Sequence, residues 1–98
     1  MMENLVYLEL LRRDYDVSIG KIGNAEIDFV AEKQGSKIYI QVTERIERNE
    51  TEEREYSRLL GITDNYPKYV IRADEFAGGN VNGIKTVHIS DFLLSTEY

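Results

Sequence analysis

The segment from Ile27 to Glu44, IDFVAEKQGSKIYIQVTE, restricts the fold more than any other part of the sequence. Two runs rich in β-branched and aromatic residues flank the short turn QGS, a pattern typical of a β-hairpin. If residues 34 and 35 form a two-residue turn, Asp28 lies directly opposite Gln41. If the turn shifts by one residue, Asp28 lies opposite Thr43 instead.

In both registers the polar side chains of this hairpin lie on one face of the sheet, because successive strand residues point to opposite faces. Glu26 and Asp28 then share a face with Gln41 and Thr43. An acid and an amide near the middle of two such apolar strands call for an explanation, and a shared functional site is one. The predicted apolar face consists of Ile27, Phe29, Ala31, Ile38, Ile40 and Val42.

The remaining elements follow from hydrophobic patterning and turn residues. Residues 3–13 and 50–60 predict helices, since apolar residues recur there without a breaker. The resulting order, α-β-β-β-α-β followed by a strand and a short helix, predicts one α/β domain over residues 1–98, with helices flanking a mixed sheet. We expect strands at 15–22, 25–33, 37–43, 68–73 and 85–89, a hairpin turn at 23–24, a flexible loop at 77–83, and a last helix capped by Ser90.

Charge and composition narrow the classes of function. The chain has 12 basic and 18 acidic residues, a net charge of −6, which disfavours tight autonomous binding to a phosphate backbone. It has no cysteine, so neither a disulfide framework nor a thiolate zinc site is expected. The first residues do not form a signal peptide, and no apolar run reaches the ~18 residues of a membrane span. We therefore expect a cytoplasmic protein.

Glu3 is a candidate metal ligand on the first helix. Its neighbours at helical spacing are Val6, Tyr7, Leu10 and Leu11, so the acid lies on the apolar stripe that should face the sheet. A carboxylate directed at the strand that carries Asp28 would suit a metal site. The alternative is that Glu3 only interacts with the helix dipole, because acids are favourable in a first helical turn.

The two polar strand residues also have structural alternatives. Asp28 would serve equally well to cap a turn or to pair with a lysine. Gln41 would serve as a hydrogen-bonded polar residue near a sheet edge. The three residues Glu3, Asp28 and Gln41 together indicate more than any one of them does.

With these residues in place, the pattern resembles the PD-(D/E)XK nuclease superfamily, whose core has the same element order. In the archaeal Holliday-junction resolvases of this superfamily a helix glutamate, an aspartate strand and an E-x-K strand form the site. Glu3, the stretch IDFVA and the stretch QVT occupy those positions here. The resemblance implies a magnesium site of two or three carboxylates and a lysine that activates water. Gln41 replaces the glutamate and Thr43 replaces the lysine, so this strand supplies neither the second carboxylate nor the lysine that the resemblance implies.

A closer resemblance covers nearly the whole chain. The stretches ENLVYLELLRR, EIDFVAEK, IYIQVT and DNYPKYVI are similar to the C-terminal nuclease-like domain of a group of prokaryotic AAA-type ATPases. The function of that domain is not established in the family. The ATPase part, with its phosphate-binding loop, does not occur in this sequence. The resemblance implies a fragment or a stand-alone copy of the domain, with an ATPase domain or another protein as partner.

Three basic residues are candidates for contact with nucleic acid. If residues 23 and 24 form a two-residue turn, Lys21 lies opposite Glu26 and beside Asp28, where an ion pair with Glu26 is favoured over a catalytic role. Arg54 and Arg58 lie one turn apart on the second helix and would reach a phosphate. They would equally pair with acids of the same helix, at positions 50 and 55, which is the interpretation we favour.

The sequence thus supports three hypotheses. The first is a degenerate nuclease-fold domain that acts as an accessory or interaction module of an ATPase and contacts DNA. The second is an active magnesium-dependent DNA endonuclease, in which Glu3, Asp28 and Gln41 bind the metal and Thr43 stands at the lysine position. The third is a protein-binding module without a nucleic-acid role. The missing lysine and the acidic net charge favour the first.

Overall fold

A computed structural model of the protein describes residues 2–22, 25–43, 56–73, 79–81 and 83–96. Among these residues, six strands form one sheet, and helices lie on both of its faces. The helices are α1 (Met2–Arg12), α2, of which residues 56–60 are described, and α3 (Ile89–Leu94). The strands are β1 (Asp16–Ile22), β2 (Ala25–Lys33), β3 (Ser36–Thr43), β4 (Lys68–Arg72), β5 (Gly79–Val81) and β6 (Ile84–His88).

The sheet is mixed, as predicted. Strands β1, β2 and β3 form an antiparallel meander, β3 pairs with β4 and β4 with β6 in parallel, and β5 pairs with β6 antiparallel. The α/β class and the helix-flanked mixed sheet are therefore confirmed. Among the described residues, no helix is long and apolar enough to cross a membrane.

Both faces of the sheet are covered, because each carries its own apolar cluster. Helices α1 and α3 cover one face, where Val6, Leu10 and Phe92 pack on residues of β3 and β4. Helix α2 covers the other face through Tyr56 and Leu59. Coverage of both faces explains why five consecutive residues of β3, 38–42, are buried.

Local turn chemistry sets the ends of two elements. Helix α1 is closed by Asp14 in the left-handed conformation (φ 67°), which lets Tyr15 N–H donate to the Leu10 carbonyl at 3.1 Å. Gln34 (φ 50°) and Gly35 (φ 79°) form the two-residue turn between β2 and β3. This turn confirms the first of the two registers considered for the hairpin.

The meander contains one bulge that alternation alone did not predict. Ser18 pairs with Val30 but Gly20 pairs with Ile27, so β2 places two residues, Asp28 and Phe29, opposite the single residue Ile19. The extra residue interrupts the alternation of side chains along β2, so Ile27 and Phe29 point to opposite faces of the sheet. The prediction that Ile27 shares a face with Phe29 is therefore wrong, because Ile27 packs in the cluster beneath α2.

Two other expectations are corrected. Residues 79–81 of the expected flexible loop form β5, because a turn that includes Gly83 (φ 90°) folds the backbone onto the edge of β6. The N-cap of α3 is His88 and not Ser90, since His88 Nδ1 accepts a hydrogen bond from Ser90 N–H. His88 Nε2 lies 3.2 Å from the Ala73 carbonyl, so the imidazole also ties α3 to the end of β4.

The apolar stripes of the helices are narrower than predicted. On α1 the side chains of Val6 and Leu10 are buried, whereas Tyr7 (38% exposed) and Leu11 (42%) are not. On α2, Leu60 is exposed although Leu59 is buried. The expected stripe on α1 treated every apolar residue at helical spacing as buried. Only Val6 and Leu10 are buried, and Tyr7 keeps a partial contact with the sheet by stacking on Phe29.

We predict that Gly20→Ala destabilises the protein by about 1–3 kcal/mol, which is the usual cost of overpacking. A Cβ at this position would lie 2.5 Å from Val30 Cγ2 and 3.1 Å from Ile27 Cβ. Urea unfolding measures the effect. The control is Ser18→Ala at an exposed position of the same strand, which should change stability by under ~0.5 kcal/mol. Val30→Ala should relieve part of the Gly20→Ala cost, and full additivity of the two changes would contradict this explanation.

Candidate metal and nucleic-acid site

The candidate site lies where β2 and β3 separate. The paired residues of β2 and β3 end at Phe29 and Ile40, and beyond this pair side chains bridge the two strands. Asp28 N–H donates to Gln41 Oε1 at 2.6 Å, and Val42 N–H donates to Asp28 Oδ2 at 2.8 Å. The two polar side chains thus stand in for the missing backbone hydrogen bonds of the hairpin.

Gln41 is completely buried, and its amide is satisfied within the fold. Its Oε1 accepts from Asp28 N–H, and its Nε2 lies 3.5 Å from the Glu26 carbonyl. Its strand neighbour in β4 is the buried Val70. A buried amide in such apolar surroundings is tolerated only when it is hydrogen-bonded, so the bulge and the amide depend on each other. This contact explains why two apolar strands carry an acid opposite an amide.

The Asp28 carboxyl lies among charges from three elements. Burial raises its pKa, and the hydrogen bond from Val42 N–H opposes that rise. The charge of Glu3 on α1 and that of Glu26 on β2 raise the pKa further, whereas the charge of Arg58 on α2 lowers it. The charges of Glu3 on α1 and Arg58 on α2 thus act on Asp28 in opposite directions.

The other predicted site residues have different environments. Glu3 is in line with the buried Val6 and Leu10 but is itself exposed, in the first turn of α1. Thr43 is half-buried at the end of β3, where it pairs with Arg72 of β4. Arg72 is a basic residue at this end of the sheet that the sequence did not single out, because only the parallel register of β4 places it beside Thr43.

The predicted nucleic-acid contacts are only partly covered by the structure. Lys21 is exposed and pairs in register with Glu26, as the two-residue turn predicted. Arg58 is half-buried, and its charge acts on Asp28. Arg54 and the acids at positions 50 and 55 lie outside the described residues. Of the two described candidates, Arg58 acts on the charge of Asp28 and Lys21 pairs with Glu26.

These residues do not make a complete magnesium site. Within the described ranges, no group of three or more His, Cys, Asp or Glu residues is placed to hold a metal ion. One Asp28 oxygen and the Gln41 oxygen already accept backbone hydrogen bonds. Mg²⁺ requires near-octahedral oxygen ligation at 2.0–2.1 Å, usually with at least one carboxylate that is available to it. The donor set therefore does not fit the metal that the resemblance implies.

We predict that Asp28→Asn stabilises the protein at pH 7. A raised folded-state pKa means that the contribution of the Asp28 carboxyl is fully favourable below its unfolded pKa of about 3.9, and is lost as pH rises through the folded pKa. Asparagine keeps an oxygen for Val42 N–H and cannot ionise. Its advantage, measured by urea unfolding, should shrink as pH falls toward about 4.

The control is Asp28→Ala, which leaves Val42 N–H without its acceptor. It should cost about 1–3 kcal/mol near pH 4 and less at pH 7, because alanine also removes the ionised carboxylate. If Asp28→Asn proved less stable than the native protein at pH 7, the ionised carboxylate would be favourable in the fold, and its neighbours would be compensating for burial.

Comparison with known proteins gives a limited result. No family model matches the chain, and no solved structure matches it. An uncharacterized protein of Haemophilus influenzae is 40% identical over 93 residues. The match covers 95% of this chain but only 22% of the relative. The chain is therefore similar to one segment of a much longer protein.

Proposed function

We propose that the chain is a PD-(D/E)XK nuclease-like domain with a degenerate metal site, which serves as an accessory or interaction module of a larger protein such as an AAA-type ATPase. The element order of the described chain, with its three-stranded meander and parallel β4, is the one that the resemblance implies. The positions that correspond to the metal ligands lie on α1, β2 and β3, and the pKa of Asp28 responds to charge from α1.

The observation that carries the proposal is the reciprocal bonding of Asp28 and Gln41. Gln41 Oε1 accepts Asp28 N–H, and Asp28 Oδ2 accepts Val42 N–H. An active site would need these oxygens for a cation, and a glutamate in place of Gln41 would supply a second charge. In this chain the same positions hold the two strands together at the bulge. Structural use of ligand positions is what a degenerate site predicts.

A role as a module is supported by two further features. The Haemophilus influenzae relative extends far beyond the matched segment, so in that protein the segment is joined to additional chain. The outer surface of α1 is also apolar, with Leu5 (45% exposed), Leu8 (61%) and Leu11 (42%) in contact with solvent. Exposed apolar clusters of this kind are typical of protein–protein contacts. The same surface equally supports a protein-binding module without a nucleic-acid role.

One observation favours the alternative of an active endonuclease. Glu3 and Glu26 both raise the pKa of Asp28, so the Asp28 carboxylate is repelled by two other acids. A divalent cation would relieve that repulsion, which is the usual arrangement at a metal site. Arg58 on the other side would then contact a phosphate of DNA. In the degenerate domain we propose, Arg58 instead offsets the charge of Asp28.

We predict that the native domain does not bind Mg²⁺ or Mn²⁺ through Asp28. Isothermal titration of both metals into the native protein and Asp28→Asn should give the same weak or absent heat. Binding to the native protein that disappears in Asp28→Asn would overturn the proposal. It would direct attention to cleavage of linear and branched DNA.

A second variant tests whether the positions still form a site when the expected groups are restored. The double change Gln41→Glu with Thr43→Lys rebuilds the E-x-K strand, and we expect it to gain Mn²⁺ binding that depends on Asp28. The matched control, Gln34→Glu with Thr63→Lys, makes the same chemical changes at exposed positions and should gain none. Because a carboxylate at the buried position 41 is costly without a counter-ion, circular dichroism must first show that the variant is folded.

A further inference from the structure

A second concave surface lies at the opposite end of the β2–β3 hairpin, roughly 20 Å along the strands from Asp28. It has a volume of about 420 Å³ and borders the turn formed by Gln34 and Gly35. Tyrosines and lysines dominate its lining, among them Tyr15, Lys33, Lys37, Tyr66 and Tyr69. None of these residues belongs to the candidate site described above.

Lysine ammonium groups lie over tyrosine rings throughout this surface. Lys33 Nζ is 4.2 Å from the Tyr15 ring centroid, and Lys37 Nζ is 5.4 Å from the Tyr66 centroid. Lys37 also lies 5.7 Å from the Tyr39 centroid, so it stands between two rings. Cation–π contacts fix the ammonium groups in place without neutralising their charge. The result is a positively charged, aromatic surface on a chain whose net charge is −6.

The lysines on and beside this surface differ in how strongly carboxylates neutralise their charge. Lys68 Nζ forms hydrogen bonds with Asp64, at 3.3 Å to the Asp64 Oδ1 atom and at 2.8 Å to the Asp64 backbone carbonyl. Lys37 lies 3.8 Å from Glu32, a contact exposed to water and therefore weak. Lys33 Nζ donates to the Arg13 carbonyl at 3.0 Å, which leaves its charge in place. Lys33 and Lys37 are thus the cations that an anionic ligand would meet.

Tyr66 presents an aromatic face at the rim, and its backbone is held in place. The side chain is 40% exposed. Tyr66 N–H donates to Asp64 Oδ1 at 3.0 Å, and the Tyr66 carbonyl accepts from Lys68 Nζ at 2.8 Å. Burial and the bond to Asp64 raise the pKa of Tyr39 to about 12, so its hydroxyl stays protonated and donates to Asp64 Oδ2. Because the backbone of Tyr66 is already fixed, only the side-chain torsions of Tyr66 lose freedom when a ligand stacks on its ring.

We propose that this surface binds a nucleotide, with the base against the ring of Tyr66 and the phosphate at Lys33 and Lys37. Base–aromatic stacking beside lysines is how proteins bind single-stranded nucleic acid without reading its sequence. The volume of about 420 Å³ lies within the range of small-ligand sites. The nucleotide is either free or part of a single strand. The proposal does not depend on a metal at Asp28.

The test uses thymidine monophosphate as the free nucleotide and a short oligothymidylate as the strand. In a ¹⁵N-labelled titration at low salt, we expect amide shift changes at Gly35, Lys37 and Tyr66. Binding of both probes with similar affinity indicates a site for a free nucleotide. Much tighter binding of the oligothymidylate indicates a single strand. Affinity should fall as salt is added, since lysine–phosphate contacts release counter-ions.

Matched variants separate stacking and specific charge from general attraction. Tyr66→Ala should weaken oligothymidylate binding by about tenfold, whereas Tyr66→Phe should retain it because stacking needs only the ring. Lys33→Gln and Lys37→Gln should each weaken binding several-fold, and Lys85→Gln, which removes the same charge from an exposed residue of β6, should not. Each variant is first checked for a native unfolding midpoint.

Several outcomes would overturn the proposal. One is the absence of shift changes with either probe at millimolar concentration. Another is shift changes confined to Asp28 and Val42, which would place the nucleic acid at the metal-like end of the hairpin. A third is binding of an acidic peptide, but of neither nucleotide probe, at Lys33 and Lys37. None of these results alters the metal titration at Asp28, so the two proposals fail separately.

Discussion

The bulge in β2 is the constraint on which the arrangement of this domain depends. By placing Asp28 and Phe29 opposite Ile19, it separates β2 from β3 at one end of the hairpin and removes ladder partners from both strands. The side chains of Asp28 and Gln41 then supply the missing acceptors. Because a buried backbone N–H without a partner costs about 1–3 kcal/mol, the bulge and these two side chains have to change together.

The same bulge distributes the apolar side chains between two clusters. Ile27 packs beneath α2, whereas Ala31 further along β2 packs beneath α1. Tyr7 of α1 stacks on Phe29 with ring centroids 6.0 Å apart, so the bulged residue also anchors the first helix. The position of α1 in turn brings Glu3 near Asp28. The bulge in β2 thus helps to place α1 on one face of the sheet and α2 on the other.

The two ends of the hairpin differ in charge. At the separated end, the pKa of the half-buried Asp28 is raised by burial and by neighbouring acids, with Arg58 as a partial counter-charge. At the turn end, Lys33 and Lys37 lie over tyrosine rings. The acidic net charge of the chain describes neither end well, because charge acts over a Debye length of about 8–10 Å and not over the whole domain. The two ends of the hairpin are therefore separate candidate binding sites with opposite charge preferences.

The sequence by itself determined the order of the elements other than β5 and the pairing of Lys21 with Glu26, and it limited the β2–β3 hairpin to two registers, because these depend on local periodicity and turn chemistry. The facing of Ile27, the strand β5 and the cap at His88 were decided by tertiary structure. A bulge changes alternation without changing composition, and Gly20 inside β1 was its only local signal.

The two candidate sites likewise combine features that follow from the sequence with contacts that only tertiary packing creates. Sequence pattern brought Asp28 and Gln41 together, since both belong to one hairpin whose register follows from its turn. It did not show that their oxygens bond the backbone, that Arg58 acts on Asp28, or that Lys37 lies between Tyr39 and Tyr66. These contacts join residues distant in the chain, and only the packing of α2, β4 and the 64–66 turn against the sheet determines them.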